Sequence, residues 1–112
     1  MTMNAPEPLE IDPLELKARL ASGAPPVILD VREDWEVEIA AIDGALAIPL
    51  GQLTRRVAEV PRDRPLAILC HHGGRSAQAT GWLRAQGFGN AMNVSGGIDA
   101  WARLVDPGVP RY

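Results

Sequence analysis

The sequence predicts an α/β fold built around a parallel sheet. Two segments, Val27–Val31 and Leu66–Leu69, are almost wholly apolar, the composition of strands covered on both faces. Helix-forming stretches alternate with them along the chain, and alternation of this kind marks a sheet with crossover helices. Glycines and prolines punctuate the alternation at short intervals.

Taken in order, Leu9–Ile11 reads as a short first strand. Asp12-Pro13 follows, a capping side chain ahead of a proline suited to the first helical turn. Leu14, Leu16, Ala18 and Leu20 continue that helix, and Gly23 ends it. Val27–Val31 is the second strand and Glu33–Ile39 a short helix. Gly44 turns the chain into Ala45–Ile48, a third strand. A helix is expected over roughly 50–60, and Leu66–Leu69 is the fourth strand. Ser76–Gln86 reads as a helix with Ala77, Trp82, Leu83 and Ala85 for its inner face and Gly87 as its stop. Asn90–Val94 and Gly97–Leu104 complete the pattern as strand and helix.

Length and composition fit one domain. The 112 residues are 46% hydrophobic and 22% charged, a globular profile. No repeat or internal linker interrupts the chain, so residues 8–112 are taken as the domain and residues 1–7 as a flexible N-terminus. The net charge of −3 and only five aromatic residues argue against nucleic-acid binding, which needs basic patches. No apolar run approaches the roughly 18 residues of a membrane span. The opening MTMNAPEPLEIDP has neither the basic nor the apolar region of a signal peptide. One cysteine cannot form an intrachain disulfide. A cytoplasmic location, without membrane or nucleic-acid partner, is the expectation.

The chemistry is concentrated in Cys70-His71-His72-Gly73-Gly74-Arg75-Ser76, which runs from a buried strand into a helix. Ligands of parallel sheets collect beyond the carboxyl ends of the strands, where Cys70 falls. The two glycines allow a tight bend that turns successive N–H groups inward as an anion nest, aided by the helix start behind it. A sulfur anion held there is a thiolate, the reactive form of cysteine. Taken by residue type alone, a lone cysteine at a strand end is a small buried hydrophobe; the polar, glycine-rich loop moves the reading to a nucleophile.

These residues resemble the rhodanese-like sulfurtransferase family. Leu29-Asp30-Val31-Arg32 with Glu36, then Ile42-Asp43-Gly44-Ala45 with Ile48-Pro49, matches the first half of its pattern. The Cys70–Ser76 segment matches its active-site loop, Cys-x-x-Gly-x-Arg-Ser, and Gly87-Phe88 with Ser95–Trp101 matches its C-terminal part. The resemblance runs over roughly residues 9–105 and is similar to a stand-alone, single-domain member. It implies a small five-stranded parallel sheet flanked by helices on both faces. It also implies a persulfide on Cys70, cradled by backbone N–H groups of the loop. The sequence departs from many relatives at Ala40-Ala41 and at Ala47, where they carry polar residues.

Loop length separates sulfur transfer from phosphoryl transfer. Cysteine-dependent phosphatases use Cys-x5-Arg, whereas the arginine here arrives one residue earlier, at Arg75, with Ser76 behind it. The smaller ring suits a single sulfur atom. The expected reaction moves a sulfane sulfur from thiosulfate or a donor persulfide to cyanide or a thiol acceptor, protein thiols included. Cys70 is the expected nucleophile, with His71, His72, Gly73, Gly74, Arg75 and Ser76 binding the substrate and Asp30 and Arg32, read as buried and paired after a covered strand, in a supporting role. Arg75 is read either as recruiting an anionic donor or as an ion-pair partner of Asp30. For His71 and His72, solvated side chains are preferred over acid–base groups. Arg32 with Glu36 is read as a structural pair. Trp35 lines the site entrance by resemblance, while the residue itself suggests packing. Gly96-Gly97 is expected to turn tightly beside the loop. No cofactor is expected, and no metal, because two consecutive histidines and one cysteine converge poorly and offer no fourth ligand. The alternatives are a non-catalytic interaction or regulatory module of the same fold and a phosphatase or arsenate reductase.

Overall fold

A computed structural model describes residues 6–112. Five strands, β1 (Glu10–Ile11), β2 (Val27–Asp30), β3 (Leu46–Ala47), β4 (Leu66–Leu69) and β5 (Ala91–Val94), form one sheet in the order β1-β5-β4-β2-β3. Every pairing is parallel, with Leu29 opposite Ile68 and Ile68 opposite Asn93 across the centre. Three helices connect strands, α1 (Pro13–Leu20), α2 (Asp34–Ile39) and α3 (Gly74–Ala85), and a fourth, α4 (Gly97–Leu104), follows β5.

Side chains alternate across a strand, so the buried sheet splits its apolar residues between two cores. One holds Ile28, Ala67, Leu69, Met92 and Val94 against Leu16 of α1 and Ile98 and Trp101 of α4. The other holds Leu29, Leu66, Ile68, Cys70 and Ala91 against Ala79 and Leu83 of α3. Helices therefore cover both faces, as the sequence predicts. The same parity sets Cys70 on the α3 side. Asp12 caps α1 as expected, its Oδ1 accepting from Glu15 N at 2.9 Å, with Pro13 in the first turn.

Several expectations change. The stretch expected as a helix over 50–60 forms two 3₁₀ turns, Leu50–Gln52 and Val57–Glu59. Leu50 and Leu53, and again Val57 and Val60, are three apart, the repeat of a 3₁₀ turn, and the turns set Leu53 and Val60 in the core. On α3 the inner face carries Ser76, Ala79, Thr80 and Leu83, whereas Ala77 and Ala85 are exposed. On α1 only Leu16 of the four expected apolar positions is buried, and Leu14 is exposed. That helix ends at Leu20, before Gly23. Of the N-terminus expected to be flexible, residues 1–5 lie outside the described residues. Glu7 is hydrogen-bonded, its N–H donating to Gly89 O at 3.0 Å.

Candidate functional site

Cys70 is the residue immediately after β4, the middle strand of the sheet. From there the chain must reverse into α3 within three residues. Gly73 makes this turn with a φ of +103°, a left-handed conformation that favours glycine. The turn brings Gly73 N to 3.1 Å from Cys70 Sγ, as donor to the sulfur. Ser76, in the first turn of α3, places its hydroxyl 3.1 Å from the same sulfur. The N–H groups of Gly74, Arg75 and Ser76, at the start of this helix, have no intrahelical acceptor.

The next turn of the chain clamps the loop. Ile98 N donates to Cys70 O at 2.9 Å and Asp99 N to His71 O at 3.1 Å. Gly97, with φ +62°, comes so close that an added Cβ would fall on the carbonyl oxygens of Cys70 and His71. The expected tight turn at Gly96-Gly97 is thus in direct contact with the loop. Cys70 itself is only 1% exposed, although its sulfur meets polar groups on the loop side.

Arg75 pairs with Glu36, not with Asp30. Its Nη1 and Nη2 donate to Glu36 Oε1 and Oε2, at 2.5 and 2.8 Å. Asp30 is taken instead by Arg32, whose Nη2 reaches Oδ2 at 2.7 Å in a pair that is buried on both sides. Arg32 meets Glu36 through the backbone, Nη1 donating to Glu36 O at 3.3 Å, so the side-chain pair expected between them does not form. The Arg75 hydrogen bond, supported by Tyr112, lowers the Glu36 carboxyl to about 2 against the opposing effect of burial. Arg75 is raised in turn, chiefly by that same bond.

Tyr112 joins the two ion pairs. Arg32 Nη1 donates to its hydroxyl at 2.9 Å, and the hydroxyl donates to Glu36 Oε2 at 2.7 Å. Its ring stacks on His71 at 4.0 Å, and His71 stacks on His72 at 3.8 Å. His71 is therefore half-buried rather than solvated, with Nε2 shielded and without a hydrogen-bond partner, whereas His72 is exposed as expected. Burial, then proximity to His72, lowers the His71 pKa and favours the neutral ring. Trp35 is 58% exposed and sets its edge against Tyr112 at 6.1 Å, so the packed reading of it does not hold. Asp99 brings a carboxylate within 4.8 Å of both histidine rings, a third potential metal ligand that the sequence did not suggest. Arg103 and Arg111 already bond that carboxylate, at 3.2 and 3.0 Å.

Sequence reasoning missed Asn93, Glu10 and Tyr112. Asn93 Oδ1 lies 2.5 Å from Ser76 Oγ, and its Nδ2 donates to Glu10 and to Gly73 O. The signal for Asn93 was its place in β5, two residues from Ala91 and so on the same face as Cys70. Nothing near Tyr112 in the chain marked it.

The profile described as Rhodanese-like domain matches residues 12–104. The chain belongs to the rhodanese-like family. It is 40% identical over 94 residues to a protein of Allochromatium vinosum named sulfurtransferase, covering 84% of this chain and 88% of that one. A rhodanese-related protein from Thermoplasma volcanium superposes with a TM-score of 0.81 at 31% identity, covering 92% of this chain and 98% of the other. A human single-domain sulfurtransferase superposes at 0.74 with 27% identity, covering 88% and 98%. In larger relatives the match is partial. The chain spans about a quarter of a probable adenylyltransferase/sulfurtransferase of Mycobacterium tuberculosis, at 38% identity over 104 residues. Rhodanese-like proteins with these names support a sulfurtransferase kind of activity for the domain. Among the described residues, no helix is long and apolar enough to cross a membrane.

Proposed function

We propose that this rhodanese-like domain transfers a sulfane sulfur through a persulfide on Cys70. The observation that carries the reading is the pair of contacts at Cys70 Sγ: Gly73 N and Ser76 Oγ, both at 3.1 Å, at the start of a 12-residue helix. A backbone N–H stabilises negative charge on sulfur without a reorganisation penalty, and the helix start adds to it.

In the first step the Cys70 thiolate attacks the outer sulfur of thiosulfate. An S–S bond forms, the bond between the two donor sulfurs breaks, and sulfite leaves with its electron pair. In the second step an acceptor, cyanide or a thiolate, attacks the outer sulfur of the persulfide and the Cys70 thiolate leaves. Covalent catalysis of this kind gives double-displacement kinetics. With 1% of its surface exposed, Cys70 is reached by a terminal atom or a small reagent. Amides of His71, His72, Gly74, Arg75 and Ser76 are assigned to the transferred sulfur, and Arg32, paired with Asp30, bears on the loop through Tyr112, which stacks on His71. Both guanidinium ends of Arg75 are bound to Glu36, so its part in recruiting an anionic donor is secondary to shaping the loop. A single unpaired thiol suits a reducing compartment, which supports a cytoplasmic setting.

Mass spectrometry after incubation with thiosulfate tests the reading. A gain of about 32 Da on Cys70 is expected, discharged by cyanide or a small thiol and absent in Cys70→Ser. Wild-type protein that takes up no sulfur from thiosulfate or from a donor persulfide is instead an interaction module of this fold.

A further inference from the structure

The hydrogen bonds around Asn93 fix a proton that bears directly on Cys70. Three acceptors surround Asn93 Nδ2: Glu10 Oε2 at 3.0 Å, Glu10 Oε1 at 3.2 Å and Gly73 O at 3.3 Å. An amide nitrogen only donates, so this end of the side chain is fixed by its surroundings. Oδ1 is thereby turned to Ser76 Oγ, 2.5 Å away, where it only accepts. The single hydroxyl proton of Ser76 lies on that contact. Toward Cys70 Sγ, 3.1 Å away, the oxygen then presents lone pairs, so any proton on that contact comes from the thiol. Ser76 is fully buried and Asn93 is 5% exposed, so water does not compete freely for either.

We propose that Asn93, locked by Glu10, is a positioning residue that holds the Ser76 hydroxyl away from the sulfur at rest and yields it when Cys70 ionises or carries a second sulfur. The inference rests on Cys70 being the sulfur-carrying nucleophile. When the thiol proton leaves to solvent, the Ser76 lone pairs face a negative sulfur. Rotating the O–H toward Sγ replaces that repulsion with a donated hydrogen bond, and Asn93 Oδ1 loses its donor. Only the hydroxyl proton moves, and no bond between heavy atoms changes. Leaving a buried acceptor unpaired is unfavourable, so the strength of the Asn93 contact sets how readily the sulfur becomes an anion.

Other charges around the thiol do not replace this control. Arg75 of α3 is bound to Glu36 of α2, and Asp30 of β2 is closed off by Arg32. His71 and His72 follow Cys70 in the loop, and burial and mutual proximity favour a neutral His71. Glu10 of β1 acts through Asn93.

The test is the rate of Cys70 alkylation by iodoacetamide at pH 7, with thiosulfate loading of the wild type measured in parallel. Asn93→Leu removes the acceptor and is expected to alkylate about fivefold faster, the size of one net hydrogen bond. Glu10→Lys, at an exposed position, presents a donor to the amide and turns it over, so Nδ2 faces Ser76. A gain in the same direction is expected, and this variant carries the test if Asn93→Leu does not fold. Both gains are expected to vanish in a Ser76→Ala background. Unchanged alkylation, or equal gains with and without the Ser76 hydroxyl, would overturn the positioning role. Wild type that alkylates but takes up no sulfur overturns the sulfur-transfer reading and leaves the hydroxyl result standing.

Discussion

Asp30–Arg32 and Glu36–Arg75 are the same chemical pair in two surroundings. Arg32 is fully buried, and its donors reach Asp30, Ala40 O, Glu36 O and the Tyr112 hydroxyl. Arg75 is 37% exposed on its side chain while Glu36 is 4% exposed, so that pair sits at the rim of the loop. A buried pair adds little net stability when intact, yet removing one partner strands a charge where water cannot reach it. The rim pair keeps water on one side and answers to solution conditions. The difference lies in what each holds. Arg32 ties the end of β2 to α2, whereas Arg75 anchors the loop that carries Cys70.

Breaking the inner pair gives the largest effect. Asp30→Ala leaves Arg32 uncompensated and is expected to destabilise the protein by about 3–5 kcal/mol in urea unfolding. Tyr112→Phe removes the hydroxyl shared by the two pairs while keeping the ring on His71. A loss of about 1.5–3 kcal/mol is expected, the size of a hydrogen bond to a charged group. A variant as stable as the wild type would show the two pairs to be independent.

The outer pair is sharpened by acid. Glu36 is lowered from 4.5 to about 2, first by Arg75 and then by Tyr112. The folded state therefore binds this proton less readily than the unfolded chain does. The stability it contributes is complete above pH 4.5 and is lost as pH falls toward 2. Unfolding midpoints between pH 5 and 3 should fall less steeply in Glu36→Gln than in the wild type; parallel curves would contradict the assignment. The smallest effect belongs to a pair on the surface. Arg111→Ala removes one of two arginines from Asp99, and its unfolding midpoint is expected to match the wild type.

How much of this was legible follows from distance along the chain. Cys70, Gly73, Arg75 and Ser76 lie within seven consecutive residues, so their pattern is visible as a motif and its geometry follows from one glycine turn. The two strong strands, β2 and β4, were legible because burial on both faces makes them apolar throughout. Partners were not. Glu36 is 39 residues from Arg75, and Glu10 is 83 from Asn93. Asp30 is the nearer strand-end carboxylate by sequence logic, but Arg32 lies two residues away and satisfies it first. The inner face of α3 was misread for a related reason. Alanine at positions 77 and 85 looks apolar, while Ser76 and Thr80 are buried because each has a hydrogen-bond partner there.

The strand order has a temporal consequence. β1 is made first, yet among the described residues its only neighbour in the sheet is β5, the last strand to emerge. Glu10 meets Asn93 only when β1 docks on β5, across 83 residues of chain. Non-local closure of this kind is a slow stage of assembly. A chain in which β1 has not docked on β5 therefore lacks the Glu10–Asn93 contact, even with the four remaining strands in register.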